Sequence, residues 1–193
     1  MSDPRVARPT LSFGEIHVWT ARLADEPDAI ADLLRILSRE ERTQAAQFSF
    51  ERDRTRFIQA HGVVRQMLSI YCDADPATLS FARNHHGKPY LIARANGPNL
   101  QFSLSHSSDC CMLAVRFDHP IGIDVEKVRD WPRAMDIVQS YFTPAESKAL
   151  SALQGTAQRD AFFALWTHKE ATIKGLGISL SAHLGRILGR PSG

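Results

Sequence analysis

The chain has 193 residues, with 23 Lys and Arg against 21 Asp and Glu for a formal net charge of +2, and 44% of it is hydrophobic. That length allows one good core or two small lobes sharing an interface, and the charge is too small to argue for nucleic acid, although local basic clusters could bind phosphate esters. No window approaches the ~18 apolar residues of a membrane span, the N-terminus lacks a signal-peptide core, and Cys72, Cys110 and Cys111 form neither a disulfide framework nor a metal spacing, so a reducing, cytoplasmic setting is expected.

The opening "GEIHVWTARL" reads as a strand, with Ile16 and Val18 on one face and His17 and Trp19 on the other. A helix is predicted over Asp28 to Leu37, and Ser38 followed three residues later by Glu41 is a capping-box signature for the next short helix. "ERDRTRFIQAHGVVRQMLSIY" is a long amphipathic helix with Phe57, Ala60, Val64, Met67, Leu68 and Tyr71 as its apolar stripe. Its first turns carry Arg52, Arg54 and Arg56, with Arg65 further on; a solvated basic face would account for them. The middle is β-rich: "TLSFAR", "PYLIA", "LQFSLS" and "CCMLAVRF" are short apolar segments divided by turn-forming stretches. Asp118, His119 and Pro120 then turn into "IGIDVEKV", predicted as a further strand, before the chain returns to helix. "AMDIVQSYF" precedes Thr143-Pro144-Ala145-Glu146, which supplies an N-cap, a first-turn proline and an acid three after the cap. The last long helix contains "FFALWTHKEATIKGLG", ended by Gly175 and Gly177.

Several of these residues could carry chemistry. Alternation along "IGIDVEKV" puts Asp124 and Glu126 on one face, roughly 6.5–7 Å apart along the strand. They either face water or converge on one cation. Glu170 falls on the apolar side of the last helix, where an unpaired carboxylate is costly. Its partner is either Lys174 one turn later, as an ordinary helical ion pair, or a metal. Three acids together would supply the oxygen ligands that suit Mg²⁺, with Lys174 as a point charge beside a bound phosphate. Ser105 and His106 sit at a strand end without a G-x-S-x-G elbow, so a nucleophilic triad is poorly supported. His106 is either structural or a hydrogen-bond partner for phosphate.

Taken in order, the pieces resemble the Sfp-type 4′-phosphopantetheinyl transferases. The resemblance rests on "RDRTRF", Gly87-Lys88-Pro89, "SLSHS", the (I/V)-G-(I/V)-D-(I/V)-E signature at Ile121 to Glu126, the F-(S/T)-x-x-E element at Phe142 to Glu146, and W-(T/S/C)-x-K-E-(A/S)-x-x-K-x-x-G at Trp166 to Gly177. It covers about Leu37 to Leu180. It implies an α+β fold of two pseudo-symmetric lobes, 1–118 and 119–193, each a small sheet packed on a long helix. Coenzyme A would lie between them as co-substrate. Mg²⁺ would be held by Asp124, Glu126 and Glu170, with Glu170 and Lys174 catalytic. Arg56, Lys88, Ser105, His106 and Lys174 would contact phosphates and nucleotide, with Arg52 and Arg54 as looser candidates. The partner would be an acyl, peptidyl or aryl carrier protein, and the enzyme a monomer with no nucleic-acid or membrane partner.

Members of this kind usually continue past the G-x-S-L segment with several strands. Here only thirteen residues follow Leu180, so the C-terminal lobe is expected to be truncated. The alternative to transfer is then a catalytically silent relative that binds coenzyme A or a carrier protein without turnover.

Overall fold

The computed structural model describes residues 9–23, 26–92 and 99–178. The expected shortening of the C-terminal lobe concerns the segment after Leu180 and lies outside the described residues. The observed order is β1 (His17–Arg22), α1 (Pro27–Ile36), α2 (Arg39–Ala46), α3 (Glu51–Cys72), a 3₁₀ turn at Pro76–Thr78, β2 (Phe81–Arg83), β3 (Pro89–Leu91), β4 (Leu100–Ser107), β5 (Cys110–Phe117), α4 (Ala134–Tyr141), α5 (Pro144–Ser151) and α6 (Gly155–Leu176). This is the α+β class read from the sequence.

β1, β5 and β4 form an antiparallel sheet in that order, and β2 and β3 form a separate hairpin. Within β4, Leu100 and Phe102 point to the core, where they meet Val64 and Leu68 of α3 and Leu113 and Val115 of β5. Each such side chain, fully buried, contributes roughly 1.5–3 kcal/mol of transfer free energy. The other end of α3 closes a second cluster, Phe57 and Ile58 against Leu37 and Ala45. One helix therefore ties the first three helices to the sheet. On β1 the face bearing Trp19 and His17 turns inward, both rings bonding the Tyr71 hydroxyl at 2.7 and 2.8 Å. Ile16 and Val18 stay half exposed.

Both predicted capping boxes form. Ser38 and Glu41 exchange reciprocal bonds at the start of α2, and Thr143 and Glu146 do so at α5. The helices α4 to α6 bury Val138, Phe142, Leu150, Phe162, Phe163 and Trp166 together.

Two sequence expectations change. Residues 121–128, predicted as a strand, carry no strand assignment and join no sheet ladder among the described residues. Instead the segment lies along the outer face of β4 and its amides bond serine side chains: Ile123 N to Ser103 Oγ at 3.2 Å, Val125 N to Ser105 Oγ at 3.3 Å, and Lys127 N to Ser107 Oγ at 3.0 Å. Both partners repeat every second residue, so the register is that of paired strands, with hydroxyls standing where backbone carbonyls would be. Gly175 lies inside α6 and does not end it. The stop is Gly177, in the left-handed region at φ 68°. Gly175 instead allows a close crossing. A Cβ on the facing Gly122 would lie 1.8 Å from the Ala171 carbonyl oxygen and 2.4 Å from the Gly175 nitrogen.

Candidate active site

A cleft of about 600 Å³ opens between β4, the β2–β3 turn, the 121–128 segment and α6. The serines of β4 that carry the 121–128 segment also reach its acids. Ser105 Oγ donates to Asp124 Oδ1 at 2.7 Å, and Ser107 Oγ donates to Glu126 Oε2 at 2.7 Å. The alternation that aligns the backbones thus delivers both carboxylates to one wall.

From α6, Lys174 Nζ donates to Asp124 Oδ1 at 2.6 Å and to Ser105 Oγ at 2.9 Å. Lys174 therefore pairs with an acid 50 residues away and forms no salt bridge with Glu170. Asp124 is only 5% exposed in its side chain, and its Oδ2 is buried without a hydrogen-bond partner. Glu170 lines the same cleft. Burial, then the negative charge of Asp124, raise its carboxyl above the ordinary range; Lys174 lowers it by less, and Glu126 adds the smallest rise. Among the described residues no three His, Cys, Asp or Glu side chains stand close enough to form a ready metal cluster. Asp124, Glu126 and Glu170 nonetheless line one space as oxygen donors of the type a hard divalent cation takes, and a buried oxygen of Asp124 lacks a hydrogen-bond partner.

The β2–β3 turn supplies Lys88. Gly87 takes φ 85°, and the Asn84 side-chain oxygen accepts from His86 N at 3.0 Å and Lys88 N at 2.9 Å. The Asn84 amide donates to the Gly177 carbonyl at 2.8 Å, which fixes the turn to the end of α6. Lys88 Nζ donates to the Ile121 carbonyl at 2.9 Å, and burial lowers its pKa. His106 stands on the rim. The surrounding cleft wall, then Lys174, His61 and Arg56, hold its imidazole below the usual value, partly offset by Glu126.

The structure thus brings Lys88, Ser105, His106, Asp124, Glu126, Glu170 and Lys174 to one cleft. Arg56 does not line it, although its charge reaches His106. Arg52 and Arg54 make surface pairs with Asp53 and Glu51. Sequence reasoning missed His61, Arg83, His86 and Trp131 on the same walls. Asn84 was also missed, though an Asn opening a G-x-P-type turn is a legible Asx signal.

A further polar group stands beside the cleft. Glu41 Oε2 accepts from Arg65 Nε at 2.7 Å, and Glu41 Oε1 pairs with His61 Nδ1 at 3.1 Å. Burial raises the Glu41 carboxyl, but the bonds from His61, the Ser38 backbone and Arg65 outweigh it and bring it down to about 2.

Comparison with known proteins matches this chain to two family models. Residues 120–188 match the 4′-phosphopantetheinyl transferase superfamily, and residues 23–118 match the N-terminal model of 4′-phosphopantetheinyl transferase. The 4′-phosphopantetheinyl transferase HetI of Nostoc is 33% identical over 174 residues, covering 90% of this chain and 73% of that protein. A 4′-phosphopantetheinyl transferase of Bacillus subtilis is 34% identical over 152 residues, 79% of this chain and 65% of its own length. The human L-aminoadipate-semialdehyde dehydrogenase-phosphopantetheinyl transferase is 26% identical over 162 residues, of which this chain spans 52% of the length.

Proposed function

Because the chain belongs to the 4′-phosphopantetheinyl transferase superfamily, we propose that it moves 4′-phosphopantetheine from coenzyme A to a serine of an acyl, peptidyl or aryl carrier protein, with Mg²⁺ as cofactor. The observation that carries this reading is the meeting of Ser105, Asp124, Glu126, Glu170 and Lys174 on one cleft wall. In this reading the cleft separates an N-terminal lobe, 1–118, from a C-terminal lobe, 119–193. The enzyme works as a monomer, and three cysteines without a disulfide-framework spacing suit a reducing cytoplasm.

When bound, Mg²⁺ would be held by Asp124, Glu126 and Glu170 and would stabilise negative charge on phosphate oxygens. The carrier serine oxygen forms a bond to the phosphorus nearest pantetheine, and the phosphoanhydride bond to the nucleotide breaks. The nucleotide leaves as 3′,5′-ADP. Glu170, on the helix face that opens into the cleft, accepts the serine proton directly or through a water. Among the described residues Lys174 is charge-paired to Asp124 alone and would turn to the phosphate oxygens as charge builds there. Lys88, His106 and Ser105 orient the phosphates and nucleotide, and Arg56, off the cleft wall, contributes through its charge.

The test is a carrier protein incubated with this chain, coenzyme A and Mg²⁺ and weighed intact. The reading expects a mass gain of one phosphopantetheine, abolished by a chelator; a folded chain that modifies no carrier type would sink it. A second reading, binding without turnover, draws on the Lys174–Asp124 bond that holds the acid where a cation would sit. Calorimetry showing tight coenzyme A binding with no transfer would select it.

A further inference from the structure

His61 lines both the main cleft and an adjoining pocket of about 290 Å³, which share Arg83, Pro89, Phe102 and Leu104 as well. The two spaces therefore adjoin, and His61 stands between them. Its ring stacks on Phe57 one helical turn earlier, with centroids 3.9 Å apart. Its Nδ1 lies 3.1 Å from Glu41 Oε1. An ionised carboxylate can only accept, so Nδ1 carries the proton and Nε2 is the nitrogen left for the cleft. Glu41 is itself immobilised: its other oxygen accepts from the buried Arg65 and from the Ser38 backbone that starts α2. The histidine is held by a stack on one side and a fixed anion on the other.

We propose that His61 is a binding residue for a phosphate group of the co-substrate, contacted through Nε2, and that Glu41 is its positioning residue. This rests on the coenzyme A reading above. The shared chemistry is a phosphate oxygen accepting from an imidazole N–H, and two sources are available on coenzyme A: the 3′-phosphate and the pyrophosphate. Glu41 gives the contact its direction, because an imidazole free to flip would offer either nitrogen.

The experiment measures KM and kcat for coenzyme A and for 3′-dephospho-coenzyme A with the full chain, His61→Ala and His61→Gln, with calorimetric Kd values and melting temperatures in parallel. Loss of one hydrogen bond to a charged group should raise KM about tenfold in His61→Ala with kcat nearly unchanged. His61→Gln places an amide N–H near the lost Nε2 and should recover most of the affinity. A loss confined to coenzyme A identifies the 3′-phosphate, and an equal loss for both identifies the pyrophosphate. Unchanged KM and Kd in a folded His61→Ala overturns the proposal, as does a glutamine variant no better than the alanine one. If the unaltered chain modifies no carrier, the transfer reading fails by itself and the Kd comparison still decides the role of His61.

Discussion

Replacing Gly122 by alanine tests how the site is assembled. The added Cβ would stand 1.8 Å from the Ala171 carbonyl oxygen and 2.4 Å from the Gly175 nitrogen, both of them backbone atoms of α6. No side chain can rotate aside, so the segment and the helix must separate by roughly 1.5 Å to reach ordinary contact. Overpacking of this kind costs about 1–3 kcal/mol, which for a chain of this size lowers Tm by roughly 3–10 °C. The same separation draws Asp124 and Glu126 on the segment away from Glu170 and Lys174 on the helix. A displacement of about 1 Å in a reacting constellation can cost about a hundredfold in rate, so transfer should fall by that order even where the variant remains folded. Gly175→Ala is the internal control. Its Cβ would meet Gly122 N at 3.3 Å, a contact relieved by a few tenths of an ångström, and alanine gains about 1 kcal/mol of helix propensity over glycine. Thermal melts and carrier-modification rates for the pair should therefore diverge, with Gly122→Ala severely impaired and Gly175→Ala nearly neutral. Equal Tm and equal rates for the two would refute the close crossing as the organiser of the site.

Three other perturbations follow from the same geometry. Ser105→Ala removes the acceptor of Val125 N and of Lys174 and a donor to Asp124; urea unfolding should show a loss of about 1–3 kcal/mol from buried groups left unpaired. Glu41 has a folded pKa of about 2 against an ordinary value of 4.5. Its stabilisation is present above the unfolded value and is lost as pH falls through the folded one, and a shift of this size is worth on the order of 3 kcal/mol. Stability should decline between about pH 4.5 and 2, and Glu41→Gln should flatten that acid limb in pH-dependent melts. Lys174→Met leaves Asp124 buried among acids without its cation, so coenzyme A binding should weaken and Tm should drop, by calorimetry and by melting.

The local features were legible because their signals are local. The capping boxes at Ser38 and Thr143 and the apolar stripe of α3 are set by neighbours three and four residues apart, and each forms. Alternation in "IGIDVEKV" put Asp124 and Glu126 on one face, as their bonds to Ser105 and Ser107 show, but the strand it predicted is not paired among the described residues. It could not say what the backbone bonds to, because the partner is a second alternation, Ser103, Ser105 and Ser107, some 20 residues earlier. Helical spacing offered Lys174 to Glu170, yet the lysine reaches Asp124 across the cleft. That preference is tertiary: Asp124 is nearly enclosed, and among the described residues its other side-chain bond comes from the Ser105 hydroxyl. The Glu41–His61–Arg65 group was hidden for the same reason. Glu41 read as a cap, and nothing in the pattern showed that its carboxylate also faces α3.

The most direct measurement follows a carrier protein by intact mass during incubation with coenzyme A and Mg²⁺, using the 193-residue chain and its Glu170→Gln variant side by side. Burial and the neighbouring carboxylates strain the ionised Glu170, so the amide should leave Tm unchanged or raise it. The account predicts full conversion of the carrier by the unaltered chain and at least about a hundredfold slower conversion by the folded variant. Equal conversion by both proteins would contradict it.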